Sequence, residues 1–178
     1  MTLDQFFWVL GRVGGLASYA ALAIALVTGI ARRSAVLDWL GSNRALRALH
    51  EYTTALWIPL AALHILMLIL DSTARIGLLD LFVPFHSTYG TLAIGLGAIS
   101  VDLLVLVTVT ALLRRQIERR AWIWLHRLSY VAFAAIFLHA VLSGTDFSDP
   151  VVSAITWAVA AMLLALALAR AVWGRLPA

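Results

Sequence analysis

The chain has 178 residues, 63% of them hydrophobic and only 12% charged, and it contains no cysteine. At a mean hydropathy of +0.96 that balance lies outside the range of water-soluble domains and calls for a bilayer. The absence of thiols excludes disulfides, iron–sulfur ligation, thiolate metal sites and haem tethered through C-x-x-C-H. The formal charge of +4 arises from thirteen basic residues, all Arg, against nine acidic ones. Because the Arg cluster at the ends of apolar runs, they report membrane topology rather than nucleic-acid binding.

Five apolar runs follow in chain order, each with the roughly 20 residues that a spanning helix needs. The first, 6–30, follows a start without the basic n-region of a cleavable signal, so it reads as a retained helix; Arg12 lies near its beginning. Arg32, Arg33, Arg44 and Arg47 separate it from the second run, 48–70, which carries His50 and His64. The next connection, 72–90, holds Arg75, Asp80 and His86, and its stretch 78–85 is apolar enough to lie at the membrane interface. The third run, 91–113, has Asp102 at its middle. Arg114, Arg115, Arg119 and Arg120 precede the fourth run, 123–142, with His126, Arg127 and His139, and the fifth covers 151–173. Trp8, Trp39, Trp122 and Trp173 stand near run ends, as interfacial anchors do. The expectation is an all-α, polytopic membrane protein: one five-transmembrane-helix bundle forming a single domain over 1–178. The Arg bias predicts an N-terminus outside, both Arg-rich connections and the C-terminus in the cytoplasm, and residence in the plasma or inner membrane.

An ionisable side chain in hydrocarbon costs about 2–3 kcal/mol or more, so four intramembrane His demand a use. For any one of them alone, a helix-to-helix hydrogen bond suffices. Together they form pairs at matched depths: His50 and His126 towards the cytoplasmic face, His64 and His139 towards the outer face. A separation of fourteen residues at 1.5 Å each spaces the levels by roughly 21 Å, most of a hydrocarbon core about 30 Å thick. Two stacked haems, each iron taking one imidazole from each helix, match that pattern. The Leu-His dipeptides at 49–50, 63–64, 125–126 and 138–139 make the two helices echo each other. Spacings of fourteen and thirteen cannot converge on one zinc ion. The thirteen-residue spacing, however, turns His126 and His139 about 140° apart, so the helix must be tilted, locally rewound or flanked by haems at different azimuths. Arg12 is a candidate for an outer haem propionate, and Arg47 and Arg127 for inner ones. Phe133 and Phe137 lie between the levels as packing aromatics. His86 reads as a loop residue outside the pairs.

These residues resemble the ferric reductase-like transmembrane family, the membrane core of NADPH oxidases and ferric-chelate reductases. The resemblance runs from about Leu16 to Asp146 and rests on H-x13-H from His50 to His64, H-x12-H from His126 to His139, and the trailing Ser143-Gly144-Thr145-Asp146. It implies pairing of His50 with His126 and of His64 with His139 on two non-covalent b-type haems, and it treats the unequal spacing as normal. Larger members carry six helices and a cytoplasmic flavin- and nicotinamide-binding module; this sequence reads as five helices without that module. The chain is then the electron-transfer subunit of a transmembrane oxidoreductase, with a separate donor: a flavoprotein, free reduced flavin or quinol. The haem subunit that feeds a periplasmic methionine sulfoxide reductase is similar too, implying a reductase or a small-molecule acceptor at the outer face. Two rivals remain from other classes: a non-haem proton or ion transporter using Asp102 and the His residues, and a purely structural membrane anchor.

Overall fold

The computed structural model describes residues 1–33 and 35–173. Its elements are α1 (Leu3–Ala31), a 3-10 segment (Ala35–Leu40), α2 (Asn43–Leu70), the short α3 (Leu78–Phe82), α4 (Thr91–Leu112), α5 (Arg119–Ser143), a 3-10 turn (Thr145–Ser148) and α6 (Pro150–Trp173). No strand occurs among the described residues, and all helices except α3 are long and apolar enough to cross a membrane. The protein is therefore an all-α, multi-pass membrane protein. In a medium with no competing water, helices satisfy every backbone group internally.

The helices begin where side chains can cap them. Thr2 and Gln5 form a reciprocal capping box on α1, with bonds of 3.2 and 2.8 Å. Ser42 Oγ accepts the amide of Ala45 at 3.2 Å at the start of α2. The Glu118 carboxylate accepts the amides of Arg120 and Ala121 at the start of α5. These caps start α2 and α5 several residues ahead of the apolar runs, so Arg44, Arg47, Arg119 and Arg120 are helical rather than loop residues. Arg is a good helix former, and a polar first turn can stand in the headgroup layer.

The chain divides into two compact units, Met1–Thr73 with Pro150–Ala178, and Ala74–Asp149. In the first, α1 packs along α2 and α6 touches α1. The packed face of α1 is a stripe of small residues in alternating steps of three and four: Gly11, Gly14, Ser18, Ala21, Ala25 and Thr28, all buried. Small residues let membrane helices approach closely. A Cβ on Gly14 would stand 3.1 Å from both the His64 amide nitrogen and the Leu60 carbonyl oxygen.

In the second unit α4 packs on α5, and α3 lies against α4. Phe85, at φ 65°, sits directly over Gly95. Leu78, Leu79 and Phe82 of α3 are exposed while Asp80 is buried, the amphipathic face expected of an interfacial segment. Asp80 accepts the Gly77 amide and His86 Nδ1, each at 2.8 Å. His86 is thus tied to a carboxylate rather than loose in its loop.

The two helix pairs share one internal pattern. At a constant offset, Gly11, Gly15, Ser18, Leu22, Ala25 and Thr28 of α1 correspond to Ala93, Gly97, Ser100, Leu104, Val107 and Thr110 of α4. Five of the six pairs are buried at both positions, and the glycine pair is half-buried at both. Thr28 Oγ1 donates to Ile24 and Ala25 carbonyls at 2.8 and 3.0 Å, and Thr110 Oγ1 to Leu106 and Val107 carbonyls at 2.8 and 3.1 Å.

Candidate functional site

Three of the four candidate histidines are held by one recurring device. His64 Nδ1 lies 2.7 Å from the Gly11 carbonyl oxygen of α1. His50 Nδ1 lies 2.8 Å from the Ala25 carbonyl, fourteen residues further along the same helix. In the second unit His139 Nδ1 lies 2.8 Å from the Ala93 carbonyl of α4.

Four residues beyond each acceptor the neighbouring helix carries a glycine, and the imidazole stands over it. A Cβ on Gly15 would meet His64 Nδ1 at 2.9 Å; on Gly97 it would meet His139 Nδ1 at 2.8 Å; on Gly29 it would meet His50 Cε1 at 3.3 Å. The carbonyl offers its second lone pair, and the missing side chain gives the ring access to it.

The electrostatic consequence is a fixed tautomer. A carbonyl oxygen can only accept, so Nδ1 carries a hydrogen, and in the neutral ring the lone pair is then on Nε2. That is the pattern of a metal-ligating imidazole whose other nitrogen donates to a backbone carbonyl. The helix-to-helix hydrogen bond expected of a structural His is present, yet it does not compete with ligation, because the two use different nitrogens.

His126 is placed differently. Its ring stacks on Trp122 of its own helix, with centroids 5.2 Å apart and planes at 20°. Helix α5 is continuous α-helix from Arg119 to Ser143, so local rewinding does not absorb the thirteen-residue spacing. The two imidazoles leave α5 at azimuths about 140° apart. Where Gly29 serves His50, the corresponding residue of α4 is Ala111. In α2, Pro59 lies between His50 and His64 and has no amide hydrogen for the Ala55 carbonyl.

The remaining candidates lie on α1, α2, α4 and α5. The Arg12 guanidinium stands 4.0 Å over the Trp8 ring, and that of Arg127 stands 4.8 Å over Trp124. Arg47 Nε donates to Glu51 at 2.8 Å. Each candidate for an acidic group of a cofactor is therefore steadied by a neighbour on its own helix. Asp102 is exposed at the middle of α4. Phe133 and Phe137 are buried in the second unit. Trp8 and Trp39 are exposed, whereas the side chain of Trp173 lies outside the described residues. No three His, Asp or Glu side chains gather into a metal-binding group among the described residues.

No family model, curated protein or solved structure matches this chain.

The acceptor carbonyls and the glycines beneath the rings are absent from the reading of the sequence alone. A signal for them exists: Gly15 and Gly29 are fourteen residues apart, as are His50 and His64, and they pair in reverse order, as antiparallel neighbours must.

Proposed function

We propose that the protein is a membrane cytochrome b that carries single electrons across the bilayer on two non-covalent haems. The observation that carries this reading is the anchoring of His50, His64 and His139 through Nδ1 to main-chain carbonyls, which turns each Nε2 into a ligand nitrogen. The donor set suits the group: imidazoles for the iron, guanidinium groups for propionates, and glycines that let the rings reach their anchoring carbonyls.

In this reading His50 and His126 would hold one haem and His64 and His139 the other, and Arg12, Arg47 and Arg127 would supply guanidinium groups for propionates. The haem supplies a reversible one-electron couple. The chain supplies everything else. The Nδ1–carbonyl bonds orient the imidazoles and raise their basicity, which would favour the oxidised state of an iron bound to them. The apolar helices exclude water from the ligands, and ligation offsets the cost of keeping four imidazoles in hydrocarbon.

The family reading goes with this one: a ferric reductase-like transmembrane core, with its N-terminus outside and its Arg-rich ends in the cytoplasm. A separate flavoprotein, reduced flavin or quinol donates, and a reductase or small acceptor at the outer face receives. Moving an electron outward against an inside-negative potential costs about 2.3 kcal/mol per 100 mV, so the acceptor has to be the stronger oxidant. An absorbance spectrum of the purified protein tests the reading. A Soret band with split visible bands on reduction is expected; a protein made in haem-sufficient cells without them overturns it.

A further inference from the structure

Trp122 stands near a run end but lacks the mark of an interfacial anchor. A Trp that anchors a helix at the membrane surface keeps its indole N–H in contact with water or headgroups. Trp39 and Trp124 are 76% and 64% exposed. The Trp122 Nε1 is instead buried, and it has no hydrogen-bond partner among the described residues. Covering an unpaired donor is unfavourable, so the position of this indole calls for a gain elsewhere.

That gain is its contact with His126. Trp122 precedes His126 by one turn of α5, and side chains four apart share a helix face. The rings lie nearly parallel, with centroids 5.2 Å apart and planes at 20°, within the range of a stacked aromatic pair. The register of α5 shows why a separate device serves this histidine. Fourteen residues back from His139, where the spacing of His50 and His64 would put a second imidazole, stands Leu125. His126 therefore leaves the helix about 100° round from that direction.

We infer that Trp122 is the positioning residue of His126: its indole fixes the face of the imidazole and favours positive charge on it. The inference rests on the cytochrome reading. An imidazole bound to ferric iron gives up electron density and carries positive charge, which the face of an aromatic ring attracts, that of Trp most strongly. Reduction of the iron lessens that charge. The stack would therefore hold the haem bound by His126 at a lower potential than an aliphatic neighbour would.

A redox titration of the purified full chain, followed by absorbance, tests this. The wild type should show two one-electron midpoints. Trp122→Leu should raise the midpoint of the spectral component that His126→Ala removes and leave the other unchanged. Trp122→Phe, which keeps a ring with a weaker face, should raise the same midpoint by less, and Trp39→Leu should move neither. Should Trp122→Leu fail to fold, Trp122→Phe decides: a raised midpoint for that component supports the inference, and an unchanged one overturns it. Two unchanged midpoints in a Trp122→Leu protein that keeps both haems overturn the inference and leave the cytochrome standing. An equal shift of both midpoints overturns it too, since it reports a general loosening of the bundle. A wild type without haem overturns the cytochrome reading and the inference together.

Discussion

Gly15 and His64 stand closer than a side chain on Gly15 would permit: a Cβ there would lie 2.9 Å from the imidazole Nδ1 and 3.0 Å from Cε1. The ring holds its bond to the Gly11 carbonyl only because position 15 is bare. Gly97 and His139 repeat the relationship in the second unit, at 2.8 and 3.0 Å.

Gly15→Ala and Gly97→Ala should therefore displace their imidazoles, with overpacking costs of about 1–3 kcal/mol. Gly29→Ala, facing His50 at 3.3 Å, should be milder. In the proposed cytochrome, the first two should lower haem content or shift its spectrum, and the third should change it least. Gly14→Ala is the control. Its Cβ would meet the α2 backbone rather than the ring, so it should lower thermal stability while sparing the ligand spectrum in the protein that remains folded. Equal spectral effects from all four would show that helix separation, not ring placement, is what the glycines provide.

Acid should loosen two capped segments outside the spans. The Gly77 amide and His86 hold the Asp80 carboxyl below its ordinary value of 3.8, and the amides of Arg120 and Ala121 hold Glu118 below 4.5. A carboxyl whose folded pKa is lowered contributes stability above its unfolded pKa and loses it as pH falls through the folded value. Thermal midpoints should therefore be flat from pH 7 to about 5 and fall below about 4.5. Asp80→Asn and Glu118→Gln should each flatten that fall and lower the midpoint at neutral pH. An acid limb unchanged in both variants would assign it to other groups.

The proposed orientation rests on eight Arg in or flanking the connections α1–α2 and α4–α5, against Arg75 in 72–90. A reporter active only outside the membrane should be active when inserted in 72–90 and silent in 116–120. The reverse result would invert the direction of electron flow.

Much of the fold is legible in the sequence because its signals are local. Apolar runs and Arg clusters locate all five long helices to within a few residues, and Leu78, Leu79 and Phe82 already mark an apolar segment inside the connection 72–90. The helix starts at Asn43 and Arg119 are not legible in the same way, because Ser42 and Glu118 extend the helices into polar sequence, where hydropathy is silent. The histidines stand out by their cost in hydrocarbon. Their acceptors do not, since a backbone carbonyl such as that of Ala25 has no signature in its own residue; only an antiparallel register between α1 and α2 brings it to His50. The bond between His86 and Asp80 is hidden likewise, because it depends on how the chain turns after α3.

The most direct test of the cytochrome is the haem count per chain in the wild type and in four single variants, His50→Ala, His64→Ala, His126→Ala and His139→Ala. A pyridine haemochrome assay should give two haems per wild-type chain, fully extractable into acidic acetone because no cysteine can tether them. Each variant should fall to about one. His64→Ala and His139→Ala should lose the same spectral component, and His50→Ala and His126→Ala the other. A wild type without haem, or four variants that all keep the wild-type content, would contradict the account.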